Sequence, residues 1–197
     1  MSEASLPIEP LLAEHRLTER MVAVMEWRVA DMESIGTADL RFIDGAVEFL
    51  RVYADRCHHG KEEDVLFREL ARKALSAEHR RVLNELTAEH VFARRTTARL
   101  VEARDLYEAG EASAFADIAA CLHMFVEFYP KHIAKEENEL FPQVVSYFTA
   151  AELSLLRAEQ NEFDRRFMQV LYGKAVAAWE RMPEGEGDAD AAAGPPL

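Results

Sequence analysis

The sequence predicts an all-α fold, on two observations. Glycine and proline are scarce through the first 180 residues, where the helix-favouring residues Ala, Leu, Glu, Arg and Met dominate. No segment shows the alternation of apolar and polar residues that is typical of a strand. The chain has 197 residues, of which 49% are hydrophobic, so it can form one compact domain with a substantial core.

Two long helices are predicted in the first part of the chain. The first begins near Pro10, because proline is favoured in the first turn of a helix, and ends at about Met32, before the turn S-I-G-T. Thr37 closes that turn and is predicted to cap the second helix, which extends to about Leu75. Gly60 lies within the second helix and is its weakest point.

A third and a fourth helix complete the predicted domain of residues 1–148. Ser76 is the predicted N-cap of the third helix, which ends near Gly110. The fourth helix contains His132 and has Pro130 in its interior. Because an interior proline removes one backbone hydrogen bond, a bend is predicted in this helix near His132.

The C-terminal part of the sequence predicts one further helix and a tail. The capping box T-A-A-E starts an additional helix over residues 149–182, predicted to pack on the bundle. Its apolar positions include Phe163, Phe167 and Leu171. Residues 183–197 are acidic and rich in Gly and Pro, so they bury too little surface to offset the entropy of ordering. They are predicted to be a disordered tail.

Charge and cysteine content restrict the classes of function. The net charge of −13 would repel a phosphate backbone or an anionic membrane surface, so neither nucleic acid nor a membrane is an expected partner. The N-terminus has no basic start followed by an apolar stretch. Cys57 and Cys121 form no C-x-x-C pair and are predicted to be reduced thiols. These features predict a cytoplasmic protein.

One set of histidines and glutamates occurs twice in the same order. His15 precedes His58 by 43 residues, and His90 precedes His132 by 42 residues. The second histidine of each pair begins a similar segment, H-H-G-K-E-E-D-V-L-F in one half and H-I-A-K-E-E-N-E-L-F in the other. The chain is therefore predicted to contain a duplicated unit, over about residues 11–67 and 86–141.

The repeated residues predict a metal site. A core tolerates ionisable groups poorly unless they are paired or bind a metal. In each half a histidine and a glutamate stand four residues apart, so both project from one face of a helix. Four imidazoles and two carboxylates converging from four helices suit two metal ions related by pseudo-twofold symmetry. A chance register of unrelated surface residues is the alternative, and the duplicated order argues against it.

The pattern His, His-x-x-x-Glu, His, His-x-x-x-Glu resembles the hemerythrin-like family, also called the HHE cation-binding domain. The resemblance covers about residues 10–145 and includes K-E-E-x-x-L-F in both halves and L-F-P at 140–142. It implies a four-helix up-down bundle with two iron ions, Fe2+ or Fe3+, joined by an oxo or hydroxo bridge; zinc or manganese are possible substitutes. The ligands that it implies are His15, His58, Glu62, His90, His132 and Glu136.

The sequence departs from the oxygen-carrying hemerythrins at one ligand. Their third helix supplies a pair of histidines four residues apart, whereas Leu86 and Arg94 occupy the corresponding places here. Each metal would then receive two imidazole nitrogens and two carboxylate oxygens, and a shared bridge would leave one position open on each. This difference favours reactivity over simple oxygen carriage.

A second histidine and glutamate at the same spacing compete in the first half. His59 and Glu63 are also four residues apart, but the second half has Ile133 in place of His59. We therefore expect His59 and Glu63 to support the ligands from outside or to be solvated. Glu14 and Glu89 precede ligand histidines in both halves, and a supporting role and a solvated helix face are equally open for them.

The predicted function is that of a non-haem di-iron protein that binds or reacts with oxygen, peroxide or nitric oxide in stress handling or sensing. The expected partner is thus a small diatomic molecule or a peroxide. An alternative is a metal-dependent sensing or interaction module without turnover, which would contact a protein partner through the C-terminal helix or form a homo-oligomer. A ferritin-like oxidase is the least favoured class, because such sites need more carboxylates than this set supplies.

Overall fold

The computed structural model describes residues 7–164 and 168–181, and all regular secondary structure in these ranges is helical. The predicted all-α class is therefore confirmed. No helix in the described part of the chain is both long enough and apolar enough to cross a membrane.

The first helix, α1, spans Glu9–Ile35 and is one turn longer than predicted at its C-terminus. It ends at Gly36, whose φ of 82° suits a residue without a Cβ and whose N–H donates to the carbonyl of Met32. The second helix is capped by Asp39 and not by Thr37, so that prediction was wrong. Asp39 lies in an extended conformation and its carboxylate accepts a hydrogen bond from the N–H of Phe42 at 3.0 Å.

The second helix, α2, is continuous over residues 40–70 but changes its winding. It begins as the α-helix Leu40–Glu48 and ends with the short α-helical turn Arg68–Leu70. Between them lie two π-helical segments, Phe49–His59 and Glu62–Phe67. A π-helical turn takes in more residues than an α-helical one, and such turns are frequent at functional sites.

The third helix, α3, spans Ala77–Glu108, and its predicted cap is confirmed because Ser76 Oγ accepts the N–H of His79 at 3.1 Å. The fourth helix, α4, covers residues 114–144 and remains helical through Pro130. The departure from α-helical winding comes after that proline, where Glu136–Leu140 is π-helical. Both ligand-bearing K-E-E segments of the repeat therefore contain π-helical turns.

Two further helices follow, α5 at Ala150–Asp164 and α6 at Met168–Trp179. The predicted capping box forms, because Thr149 N–H donates to Glu152 at 2.8 Å and Glu152 N–H donates to Thr149 Oγ1 at 3.3 Å. Helix α5 contacts the second π-helical segment of α2, and α6 contacts α1 and the first π-helical segment. Phe167, Met182 and the predicted tail 183–197 lie outside the described residues.

The buried apolar side chains form two clusters with a polar layer between them. Each of the first four helices runs from one cluster, through the polar layer, to the other. Along α1, for example, Leu11 belongs to one cluster and Leu17 to the other, and His15 lies between them. The other three helices also pass from one cluster to the other. The residues on the two sides of the layer are Ala54 and Val65 in α2, Leu86 and Ala93 in α3, and Tyr129 and Leu140 in α4, and α2 and α4 run in the opposite direction to α1 and α3.

Candidate metal centre

The polar layer contains the six residues that the repeat singled out, and the structure brings all of them together. None of these residues is more than 3% exposed. Ionisable groups are rarely buried this deeply unless they are paired or coordinate a metal. The residues that meet in the layer are His15, His58, Glu62, His90, His132 and Glu136.

One half of the layer groups His15 and His58 with the two glutamates. One donor atom from each of the four residues lies within 4.8 Å of the others. His15 Nε2 is 3.1 Å from Glu136 Oε2, and His58 Nε2 is 3.7 Å from Glu62 Oε1. Neighbouring donors around an octahedral ion lie about 3 Å apart when each metal–ligand distance is about 2.1 Å. The spacing of this group is close to that arrangement.

The other half groups His90 and His132 with the same two glutamates. His90 Nε2 is 3.4 Å from Glu62 Oε2, and His132 Nε2 is 3.3 Å from Glu136 Oε1. Each carboxylate thus presents one oxygen to each group. A carboxylate divided in this way can bridge two cations, so the geometry of the layer fits a pair of metal ions.

The donor atoms of the layer have unsatisfied hydrogen-bonding capacity. Nε2 of His15, His90 and His132 makes no hydrogen bond within the described part of the chain, and the same holds for both oxygens of Glu62 and Glu136. Burying a polar atom without a partner costs about 1–3 kcal/mol. A metal ion would supply the missing partner for each of these atoms, so the residues present fit a bound cation.

Two histidines of the layer contact equivalent carboxylates through Nδ1, on the side of the ring away from the layer. His58 Nδ1 is 3.0 Å from Glu14, whose other oxygen accepts a hydrogen bond from the ammonium group of Lys61. His132 Nδ1 is 2.8 Å from Glu89, which in the same way accepts from Lys135. A carboxylate at Nδ1 fixes the tautomer and leaves Nε2 free to bind a metal. Glu14 and Glu89 therefore have the supporting contacts that the sequence left open.

The remaining two histidines contact carboxylates from the other half of the repeat. His15 Nδ1 is 2.8 Å from Glu137, which is also bonded by Arg16. His90 Nδ1 is 2.7 Å from Glu63, which accepts from Arg94 at 2.9 Å. The second glutamate of each K-E-E segment thus supports a histidine from the other half. Glu63 and Glu137 occupy equivalent positions in the two K-E-E segments, and this repetition is a signal in the sequence for the supporting role. Glu137 was not predicted to have that role.

The carboxylates around His15 and His90 control the protonation of these two histidines. Burial lowers the proton affinity of His15, but Glu136, Glu62 and Glu137 outweigh burial and raise the pKa of His15 to about 9. The same balance, with Glu136, Glu62 and Glu63, raises the pKa of His90 to about 11. A cation that binds here has to displace protons from these imidazoles, so acid opposes metal binding.

His59 does not have the solvated position that was one of its two expected roles. Its side chain is 1% exposed and its ring stacks on that of His90, with 3.9 Å between centroids. A ring nitrogen of His59 lies within 4.8 Å of nitrogens of His90 and His132. The expectation assumed the angular separation of neighbouring side chains in an α-helix. His58 and His59 lie in a π-helical segment, where that separation is smaller, so both can face the layer.

These features define a helical bundle with a buried layer of histidines and glutamates that can hold a cation. The family model described as the hemerythrin HHE cation binding domain matches residues 6–144 and 81–193. The chain therefore belongs to this family. The two matches overlap over residues 81–144. Comparison with curated proteins and with solved structures gives no significant match.

The supporting carboxylates lead to a first prediction. We expect Glu89→Gln to weaken metal binding by about tenfold or more, because the variant loses the charge that polarises His132 and pairs with Lys135. A competition titration with a chelator of known affinity measures the change. The matched control is Glu127→Gln on helix α4, the helix that contains His132 and Lys135; Glu127 is 75% exposed and pairs with Lys131. Equal metal affinity in the two variants would contradict the supporting role of Glu89.

Proposed function

We propose that this protein is a non-haem di-iron protein that binds or reacts with oxygen, peroxide or nitric oxide in stress handling or sensing. The proposed ligands are His15, His58, Glu62, His90, His132 and Glu136. The observation that carries the proposal is the division of both carboxylates between two pairs of histidines. Two histidines and two shared carboxylate oxygens for each ion form a nitrogen and oxygen ligand set that suits iron, and that manganese or zinc can also occupy.

The enclosure of the layer supports a very small ligand. Aromatic rings cover three of the proposed ligands: Phe141 stacks on His15, Phe67 on His90 and Phe128 on His132, with centroid distances of 5.7, 5.7 and 5.1 Å. The proposed ligands are at most 3% exposed. A molecule of two to four atoms can reach such a site through small fluctuations, whereas a larger substrate needs an open cleft. This favours a diatomic molecule or a peroxide.

The residues of the chain have defined tasks in this proposal. Iron would supply the change of oxidation state, and the protein would orient its ligands and exclude water. The carboxylates at each Nδ1 hold the imidazoles in one tautomer, with Nε2 directed into the layer. The apolar clusters on both sides of the layer limit the access of solvent. Cys57 and Cys121 are buried and form no disulfide in the described part of the chain, which suits the proposed cytoplasmic location.

Metal content and absorption test the proposal. Iron-loaded protein is expected to contain about two iron ions per chain and to show ligand-to-metal charge transfer in the near ultraviolet after oxidation. In His58→Ala or His132→Ala the absorption is expected to be lost, because each variant removes one of the two histidines of one ion. His123→Ala is the control, since His123 is 53% exposed and contacts Glu33. A fully folded wild-type protein that binds no metal would contradict the proposal.

Rapid mixing then identifies the small molecule. Anaerobically reduced protein is mixed separately with oxygen, hydrogen peroxide and nitric oxide, and the spectrum is followed with time. The physiological ligand is expected to change the spectrum rapidly at low concentration, and His58→Ala is expected to abolish the change. No response to any of the three would exclude this choice of ligand while leaving the metal pair in place.

A second candidate function is a metal-dependent sensing or interaction module without turnover. It is favoured by the contacts of the C-terminal helices, because α5 and α6 touch the two π-helical segments of α2, which contain His58 and Glu62. Metal binding would then order a surface that a partner recognises. Hydrogen exchange of residues 150–164 and 168–179 with and without iron tests this candidate. Unchanged exchange in both helices would exclude it.

A further inference from the structure

His59 is a buried histidine of the layer that the proposed ligand set does not use. Its ring is parallel to that of His90 within 13° and lies edge-on to His132 at a centroid distance of 5.8 Å. Neither of its ring nitrogens has a hydrogen-bond partner among residues 7–164 and 168–181. A buried imidazole in this state is unfavourable unless something else binds one of its nitrogens.

The surroundings of His59 match those of the proposed ligands. Its Nδ1 faces Asp55 at 3.5 Å, and Asp55 accepts a hydrogen bond of 2.7 Å from Arg94. The four proposed histidine ligands have the same order of imidazole, carboxylate and cation, with hydrogen bonds of 2.7–3.0 Å at Nδ1 in place of this longer contact. The two remaining histidines differ. His79 contacts the hydroxyl of Tyr147, and His123 contacts Glu33 at an exposed position.

We infer that His59 is a fifth histidine ligand, which joins His90 and His132 on one ion and makes the two ions of the pair unequal. This inference rests on the proposed function. The nitrogen of His59 is grouped with those of His90 and His132 and not with the carboxylates, so it approaches that ion from the histidine side. One ion then has three histidines and two carboxylate oxygens, and the other has two of each. With one shared bridge, only the second ion keeps an open position.

The internal repeat shows what faces the open position. Ile133 is the counterpart of His59, and under the pseudo-twofold relation it belongs beside His15 and His58. Ile133 is 4% exposed and has no atom that can bind a metal. The duplicated site therefore has a ligand on one side and an apolar residue on the other. A single small anion or diatomic molecule would bind at one end of the pair, next to His15 and His58.

Azide, a small anion, is the probe for this inference. In the iron-loaded, oxidised full-length protein, we expect about one azide to bind per metal pair, and about two in His59→Ala, where the ion beside His90 and His132 also has an open position. We expect Ile133→His to retain both metals and to lose azide binding, because it fills the open position. Absorption titration with metal analysis of the same samples gives both numbers.

Mössbauer spectra of 57Fe-loaded protein provide a readout that does not depend on azide. Two different iron sites of equal area are expected in the wild type, and two nearly equal sites in His59→Phe. The phenylalanine keeps a ring against His90 but removes the nitrogen, so it separates ligation from stacking. Addition of imidazole to His59→Ala is expected to restore the unequal sites. His123→Ala is the matched control and is expected to behave as the wild type.

The outcomes separate this inference from the proposed function. A wild-type protein without a metal pair would overturn both. A metal pair whose spectrum and azide count are the same in the wild type and in His59→Phe would overturn the inference alone, because His59 would then only pack against His90. If the His59 variants do not fold, Ile133→His decides the question. Full azide binding in that variant with both metals present would overturn the inference.

Discussion

The variant Glu136→Gln is expected to hold about one metal ion per chain or fewer, where the unsubstituted protein holds about two. Glu136 directs one oxygen to His15 at 3.1 Å and the other to His132 at 3.3 Å. Glutamine keeps the shape of the side chain but replaces one carboxylate oxygen with an NH2 group, which does not bind a cation. The variant therefore removes one ligand atom and one negative charge from the middle of the layer.

Metal analysis of protein loaded with excess ferrous iron under anaerobic conditions measures the loss. The matched control is Glu139→Gln, in the same π-helical segment, because Glu139 is 47% exposed and lies 3.8 Å from Arg81 at the surface. The control is expected to retain the wild-type metal content. If Glu136→Gln bound two ions with unchanged affinity, the shared carboxylate would not be needed and the di-metal arrangement would be contradicted.

Replacing Glu14 by alanine is expected to destabilise the metal-free protein by about 3–5 kcal/mol. Glu14 is 2% exposed and pairs with Lys61, which is fully buried, as well as with His58. The alanine variant would remove this carboxylate from the buried Lys61 ammonium group, so much of the compensation for desolvating that charge would be lost. Urea denaturation in the presence of a chelator measures the free energy of unfolding without a contribution from the metal.

The second half of the repeat offers a matched control for this effect. Glu89→Ala removes the equivalent carboxylate, but Glu89 and Lys135 are 26% and 22% exposed. Water can solvate Lys135 after the substitution, so the expected loss is only about 1 kcal/mol. Equal destabilisation by the two substitutions would show that burial of the Glu14–Lys61 pair has no special role in stability.

The helices and the composition of the polar layer followed from the sequence because both depend on short-range patterns. Helix-favouring residues and the Ser76 cap are local signals, and the repeat specified six residues without any knowledge of tertiary contacts. The wrong cap at Thr37 shows the limit of such signals. Thr37 and Asp39 are both suitable N-caps, and the conformation of the turn, which depends on where α1 ends, selects Asp39.

Contacts between the two halves of the repeat could not be predicted in the same way. Glu63 supports His90, and Glu137 supports His15, each across more than 25 positions of the sequence. The burial of His59 depends on π-helical winding, which has no simple pattern in the sequence. Of these residues, His59 makes the two halves differ, because Ile133 takes its place in the second half. The effect of this difference therefore emerged only from the folded chain.

The di-metal arrangement requires two cations that share Glu62 and Glu136. Crystals of the iron-loaded protein, measured at the iron absorption edge, would locate them by anomalous scattering. This arrangement predicts two anomalous peaks about 3–4 Å apart. One peak should lie beside His15 and His58, and the other beside His90 and His132. A single peak, or iron bound anywhere other than between these two carboxylates, would contradict it.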